Sequence, residues 1–178
     1  MKEVKIYARA GQGAITTAAI LGESLFHEDK YALAFPHFGA ARMGAPMNAF
    51  LRFDDKPIRL RSQVSEPDFI VVIDPTLIEA EKCFKGLKKG AKAIVAVRED
   101  TKLPKVEGVE IYTLPAEKIA MDIIGAPFAN TVLVGAFAKA SGELKLESVL
   151  KAVEKRFEEK PQILKKNLDA VKKGYDSV

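Results

Sequence analysis

Cysteine occurs once, histidine twice and tryptophan not at all in this chain of 178 residues. One thiol closes no internal disulfide, and one Cys with two His completes no zinc quartet. An iron–sulfur cluster takes four thiolates, so the chain holds none alone. Cys83 falls in the helical pattern IEAEKCFKGL and reads as a small buried apolar residue. No stretch approaches the roughly 20 apolar residues of a membrane-spanning helix. The opening MKEVKIYARAG patterns as a strand, not as a charged segment before an apolar one. No signal peptide is read, and the cytoplasm is the default location. Side-chain amides are scarce: Gln stands only at 12, 63 and 162, Asn only at 48, 130 and 167. Beside many Lys and Glu, that scarcity leans towards a thermophilic source.

Excess charge is also small, at +4. Residues 139–173 carry ten Lys or Arg against six Asp or Glu, a surplus equal to the whole. Aromatic residues do not interleave with these charges, so the segment reads as a solvated helical face and not as a nucleic-acid surface. What is abundant is apolar residue, 48% of the chain against 29% charged. That mix and length suit one compact domain over 1–178.

The elements alternate. Residues 3–9 pattern as a strand and 14–28 as a helix, with Ile15, Ala18, Ala19, Leu25 and Phe26 near helical spacing. Residues 31–46, rich in Pro, Gly and aromatics, read as a long loop too apolar to be idle. MNAFLRF (47–53) and PIRLRSQ (57–63) read as a hairpin across Asp54 and Asp55. DFIVVID (68–74) is a doubly buried strand, followed by a helix over 75–87. Strands over 91–97 and 109–114 and helices over 115–124, 130–142, 145–157 and 161–175 complete the chain. The pattern predicts an α/β domain: three layers, α/β/α, around a mixed, mostly parallel sheet that includes an antiparallel hairpin. The C-terminal helices are expected to pack on the domain or on a partner.

The chemistry concentrates in RAGQGAITT. Gly11 and Gly13 match the first two glycines of a dinucleotide fingerprint, but Thr16 stands where the third belongs, and no acidic residue closes a second strand. The Walker pattern is absent. What survives is a tight strand-to-helix turn with free N–H groups, the Gln12 amide, the hydroxyls of Thr16 and Thr17 and the cation of Arg9, a set able to hold a phosphate. A glycine turn that merely packs helix on strand fits as well. His27, His37, Ser62, Ser65 and Ser141 sit in no catalytic pattern. Asp74 ends a buried strand, where ligands bind in such sheets, but Asp before Pro75 is also a good helix start, and the helix start is the preferred reading. No catalytic constellation and no metal-ligand set emerges.

Several segments together resemble one family. RAGQGAITTAA resembles a G-x-G-G-Q-G-[AV]-x-[TS] loop; YALAFPHFGAARMGAPMNAFLRF resembles a Y-x-x-x-x-P-x-x-G-x-E-x-R-G-x-P segment. KPIRLRSQVSEPDFIVVIDPTL is similar to a strand, E-P-D and D-x-T/P-T-L region, and ANTVLVGAFAKASG to an N-T-x-x-L-G-A helix. This is the pattern of the gamma subunit of pyruvate and related 2-oxoacid:ferredoxin oxidoreductases, and it covers nearly the whole chain. The resemblance implies a complex that converts a 2-oxoacid to acyl-CoA and CO2 while reducing ferredoxin. Thiamine diphosphate would lie between alpha and beta subunits, and 4Fe-4S clusters in beta and delta subunits. The gamma chain would contribute coenzyme A binding through its glycine loop, and contacts to the alpha, beta and delta subunits through residues 31–46. Carried over residue by residue, Gly11, Gln12, Gly13 and Thr16 match the loop and Asn130 and Thr131 the N-T pair, with Arg9 as helper. The isolated chain is expected to be inactive.

Four positions depart from that pattern. Ala8 and Ala10 stand where the loop has glycines; a need for positive φ at either would make an alanine costly. Ala41 replaces a glutamate and Met43 an arginine, which bears on docking and coenzyme A binding. Two other readings stay open: a free-standing nicotinamide- or flavin-dependent oxidoreductase, and a structural subunit with a vestigial loop.

Overall fold

The computed structural model describes residues 1–37 and 42–178. In chain order its elements are β1 (Lys2–Arg9), α1 (Ala14–Phe26), β2 (Tyr31–His37), β3 (Pro46–Asp54), β4 (Phe69–Val72) and α2 (Leu77–Ala80). Then follow β5 (Lys92–Ala96), β6 (Glu110–Leu114), α3 (Ala116–Ile124), α4 (Asn130–Ser141), α5 (Leu146–Phe157) and α6 (Pro161–Asp176). The strands form one six-stranded sheet in the order β2-β3-β1-β4-β5-β6. β1, β4, β5 and β6 run parallel, while β3 pairs antiparallel with both β1 and β2.

The α/β architecture with a mixed sheet agrees with the sequence reading, but its hairpin lies elsewhere. β3 is matched to β2, from Tyr31↔Asp54 to His37↔Asn48, and not to residues 57–63. The segment expected to be a loop thus supplies the edge strand, where Pro36 is tolerated. Residues 57–63 alternate like a strand yet form an irregular strap, because buried Arg52 takes the carbonyls of Leu60 and Ser62 at 3.0 and 2.6 Å. The helix expected over 75–87 shrinks to the single turn of α2, and the chain leaves helical geometry at Lys82, whose φ is 48°. Residues 38–41, including Phe38, Gly39 and the Ala41 departure, lie outside the described residues.

The two faces of the sheet are covered unequally. Alternation along β1 sends Val4, Ile6 and Ala8 to one face, where α1 and α4 pack and α3, α5 and α6 lie with them. All of α4 but Lys139 is buried, so this helix reads as apolar all round instead of amphipathic. It is pressed against α6 so closely that a Cβ on Gly135 would fall 1.9 Å from the Val171 carbonyl oxygen. The C-terminal helices therefore pack on the domain itself. The other face carries Tyr7, Ile70, Val72, Ala93 and Val95 beneath α2, Cys83 and Phe84. Cys83 is wholly buried, as expected for a small apolar residue. In α1 the buried stripe is Ala14, Thr17, Ala18, Ile20, Leu21, Ser24 and Leu25, while Ile15 and Phe26 face outward.

The topology itself creates a crevice. From β1 the chain moves to one side through β2 and β3, then crosses to the other side of β1 for β4 to β6. The carboxyl ends of β1 and β4 flank this switch point, which is where open α/β sheets take ligands.

Candidate functional site: a glycine cradle at the switch point

β1 ends at Arg9 and α1 begins at Ala14, leaving four residues to reverse direction. Gly11 and Gly13 make that possible with φ of 99° and 85°. Ala10 and Ala8 lie outside the left-handed region, so the two alanine departures carry no backbone strain. The turn is fastened from within. The Gln12 side-chain oxygen accepts the Arg9 N–H at 2.7 Å, and its amide nitrogen donates to Asp74 Oδ2 at 2.7 Å. Gln12 is therefore a strut of the loop, engaged at both ends.

Asp74 is the hub. Besides Gln12, its Oδ1 accepts the Thr76 hydroxyl at 2.6 Å and the Thr76 N–H at 3.0 Å, and Arg9 Nε lies 3.4 Å from Oδ2. Burial by itself would raise the carboxyl's pKa. The bonds from Thr76 and Gln12 and the charge of Arg98 override it, and the group is held below the usual carboxylate range. The preferred helix-start reading holds for the Thr76 N–H but misses the larger role. Arg9 in turn donates to Thr76 Oγ1 at 2.9 Å and to the Gly44 carbonyl at 3.1 Å. A second loop is thereby tied on: Ala10 N–H donates to the Ala45 carbonyl and Gly44 N–H to the Ala10 carbonyl, at 2.8 and 3.1 Å. Met43, 86% exposed, lies over Gly11, its sulfur 2.7 Å from where a Cβ there would be.

Two helix N-termini meet at this loop. A Cβ on Gly13, the residue before α1, would lie 2.9 Å from the amide nitrogen of Asn130, the first residue of α4. Neither helix has an acidic residue in its first turn or a side-chain cap. The N–H groups of Ala14, Ile15 and Thr16 find no acceptor among the described residues, nor does the 8% exposed Asn130 amide find a partner there. Unpaired donors and two positive dipole ends come together here, an arrangement that favours an anion.

Of the residues singled out from sequence, the fold thus brings Gly11, Gln12, Gly13, Thr16, Asn130 and Arg9 together. Thr131 turns away: it is fully buried and donates to Asn167 Oδ1 at 2.9 Å, joining α4 to α6. Sequence reasoning did not find Thr76, Gly44 or Arg98; the spacing Asp74-Pro75-Thr76 at a strand end was the available signal. The most voluminous groove among those seen, about 810 Å³ between α1 and edge strand β2, is a different place. Its Glu23 and Lys30 are paired with Lys155 and Glu143, and its floor is built of Ala19, Gly22, Ala32 and Ala34.

An open, mixed six-stranded sheet with a glycine loop at its switch point places the chain in the α/β class. The chain belongs to the pyruvate ferredoxin/flavodoxin oxidoreductase family, whose model matches residues 3–177. It is 44% identical over 179 residues to the pyruvate synthase subunit PorC of Methanocaldococcus jannaschii, covering all of this chain and 97% of that one. It is 42% identical to the common subunit gamma of the pyruvate/ketoisovalerate oxidoreductases of Thermococcus litoralis, covering 99% and 96%. Its structure resembles the crystal structure of pyruvate oxidoreductase subunit PORC from Thermotoga maritima with a TM-score of 0.83 at 32% identity, over 99% and 96% of the two chains. The fold also recurs, at 19% identity and a TM-score of 0.80, within 31% of a 2-oxoglutarate:ferredoxin oxidoreductase chain from Magnetococcus marinus; that structure has coenzyme A bound. The chain is a gamma-type subunit of a 2-oxoacid:ferredoxin oxidoreductase.

Proposed function

We propose that the glycine cradle holds a phosphate of coenzyme A, so that this chain presents the thiol to a 2-oxoacid-oxidising centre built by partner subunits. The supporting observation is the meeting of the α1 and α4 N-termini at the Gly13–Asn130 contact, with no acid in either first turn. A phosphate fits such a site: N–H and amide donors face it, and the nearest carboxylate, Asp74, has both oxygens occupied by donors. Gly11, Gly13, Thr16 and Asn130 are the contact residues in this reading. Gln12 and Arg9 shape the loop from inside, and Thr131 fixes α4 on α6. When bound, coenzyme A supplies the thiol that accepts the acyl group.

The partners in this reading are alpha, beta and delta subunits or their fused equivalents. Thiamine diphosphate and 4Fe-4S clusters belong to those chains, ferredoxin accepts the electrons, and the cytoplasm is the site of action. No helix among the described residues is long and apolar enough to cross a membrane. The choice among pyruvate, branched-chain 2-oxoacids, indolepyruvate and 2-oxoglutarate falls to the partner subunits around the thiamine.

The test is Asn130→Ala in the assembled complex. The KM for coenzyme A should rise about tenfold, the loss of one to two anion-directed hydrogen bonds, while the KM for the 2-oxoacid stays fixed. An unchanged coenzyme A KM would make the loop vestigial and the chain purely structural. Saturable nicotinamide or flavin binding by the isolated chain would favour the free-standing oxidoreductase instead.

A further inference from the structure

We infer that Asp74 is the positioning residue of the cradle, holding both of its loops in binding geometry through Gln12 and Arg9; the inference rests on the coenzyme A reading above. Asp74 is 3% exposed and accepts three hydrogen bonds, from Gln12 Nε2, the Thr76 N–H and the Thr76 hydroxyl, with Arg9 Nε in ion-pair range at 3.4 Å. An ionised carboxylate has acceptor sites for all three on its two oxygens, and an amide of the same shape does not. Asparagine at this position turns an NH2 either against the Gln12 NH2 or against the Thr76 N–H, and one side of the knot opens.

Each side controls one loop. Gln12 holds the Arg9–Gly13 turn by accepting the Arg9 N–H. Thr76 Oγ1, oriented by its own donation to Asp74, receives Arg9 Nε and Nη2 at 3.3 and 2.9 Å, which aims Nη1 at the Gly44 carbonyl. Asp74 touches neither the free N–H groups at the start of α1 nor Asn130. Its charge is spent inside the knot, so the cradle binds through neutral donors whose placement the knot sets. Proximity effects of this kind lose about two orders of magnitude for misplacements near 1 Å.

The experiment uses the assembled complex with ferredoxin as acceptor and coenzyme A as the varied substrate. Asp74→Asn should raise the coenzyme A KM about tenfold, leaving kcat at saturating coenzyme A and the 2-oxoacid KM within about twofold. Thr76→Val should act in the same direction, and Thr76→Ser, which keeps the hydroxyl, should match the parent. If Asp74→Asn prevents assembly, the Thr76 pair decides by the same criterion. A coenzyme A KM unmoved by Asp74→Asn and Thr76→Val, while Asn130→Ala raises it, overturns the positioning role and leaves the cradle standing. A KM unmoved by all three overturns the coenzyme A reading itself, and this inference with it. Parallel losses in kcat and in the KM values of both substrates would mark general structural damage and also overturn the inference.

Discussion

Arg52 and Asp74 are the two charged side chains that the described fold buries almost entirely, at 1% and 3% exposure. Both sit next to β1, and each fastens an irregular segment to the sheet. Arg52 points its guanidinium at Glu3 Oε1, at 2.7 Å, and at the carbonyls of Leu60, Ser62 and Gln63, with the Phe35 ring 5.6 Å away. Asp74 collects N–H and O–H donors from two loops. The difference lies in what each leaves outside. The strap that Arg52 holds spends its carbonyls on the guanidinium and frames no converging donors. The loops that Asp74 holds lead into a helix start whose first N–H groups have no acceptor among the described residues. A buried charge is thus not by itself a sign of function; what its partners still have free decides.

This contrast can be broken most strongly at Arg52. Arg52→Ala removes one partner of a buried pair and orphans three strap carbonyls, so the chain should lose about 3–5 kcal/mol, read by thermal or urea unfolding. The coenzyme A KM of any complex that assembles should stay within about twofold. A shifted KM at intact stability would erase the distinction between the two knots. Asp74→Asn is the converse experiment, moving KM with the smaller stability loss.

Acid should sharpen the comparison next. The carboxyls of Asp74 and Glu143 are both held below their ordinary range: burial opposes this, but Thr76 and Gln12 act on the first and Lys2 and Lys30 on the second. A depressed carboxylate contributes stability above its unfolded pKa and loses it as pH falls through the folded value. Stability should therefore be level from neutral pH down to the ordinary carboxylate range and fall below it. Asp74→Asn should flatten part of that fall, while Arg52→Ala lowers stability at neutral pH as well. Urea midpoints across pH separate these outcomes.

The smallest expected signal is at Cys83, on the strap side of the sheet. Burial pushes its thiol pKa up to about 12, and it donates to the Leu77 carbonyl at 3.2 Å. Folded chain should resist a thiol-alkylating reagent at neutral pH and react fully once denatured. Rapid labelling of the native chain would show that the cover over this face opens readily.

The parallel strands were legible because continuous apolar runs such as DFIVVID belong to strands buried on both faces. Helices α3 to α6 were legible from periodicity, Pro161 and the closing Gly142. The errors cluster where tertiary partners overrule local pattern. Residues 31–37 became a strand because β3 was beside them, and residues 57–63 did not because Arg52 took their carbonyls. At the site, Gly11 and Gly13 declare a tight turn locally, so the loop could be read from nine residues. The likeness to one family was carried by four segments spread along the chain, of which this loop is one.

What the sequence by itself determined is the α/β class, the glycine turn and the family. Only the tertiary structure decided which side chains of the loop bond inward and which stay unpaired. It turned Gln12 and Arg9 inward, sent Thr131 to α6, set Asn130 against Gly13 and made Asp74 the hub. The reason is physical. Composition and periodicity report local conformational preference and burial, whereas the direction of a polar side chain is fixed by the nearest available partner. The bonds of Arg9 to Thr76, Gln12 to Asp74 and Thr131 to Asn167 span 67, 62 and 36 residues of chain.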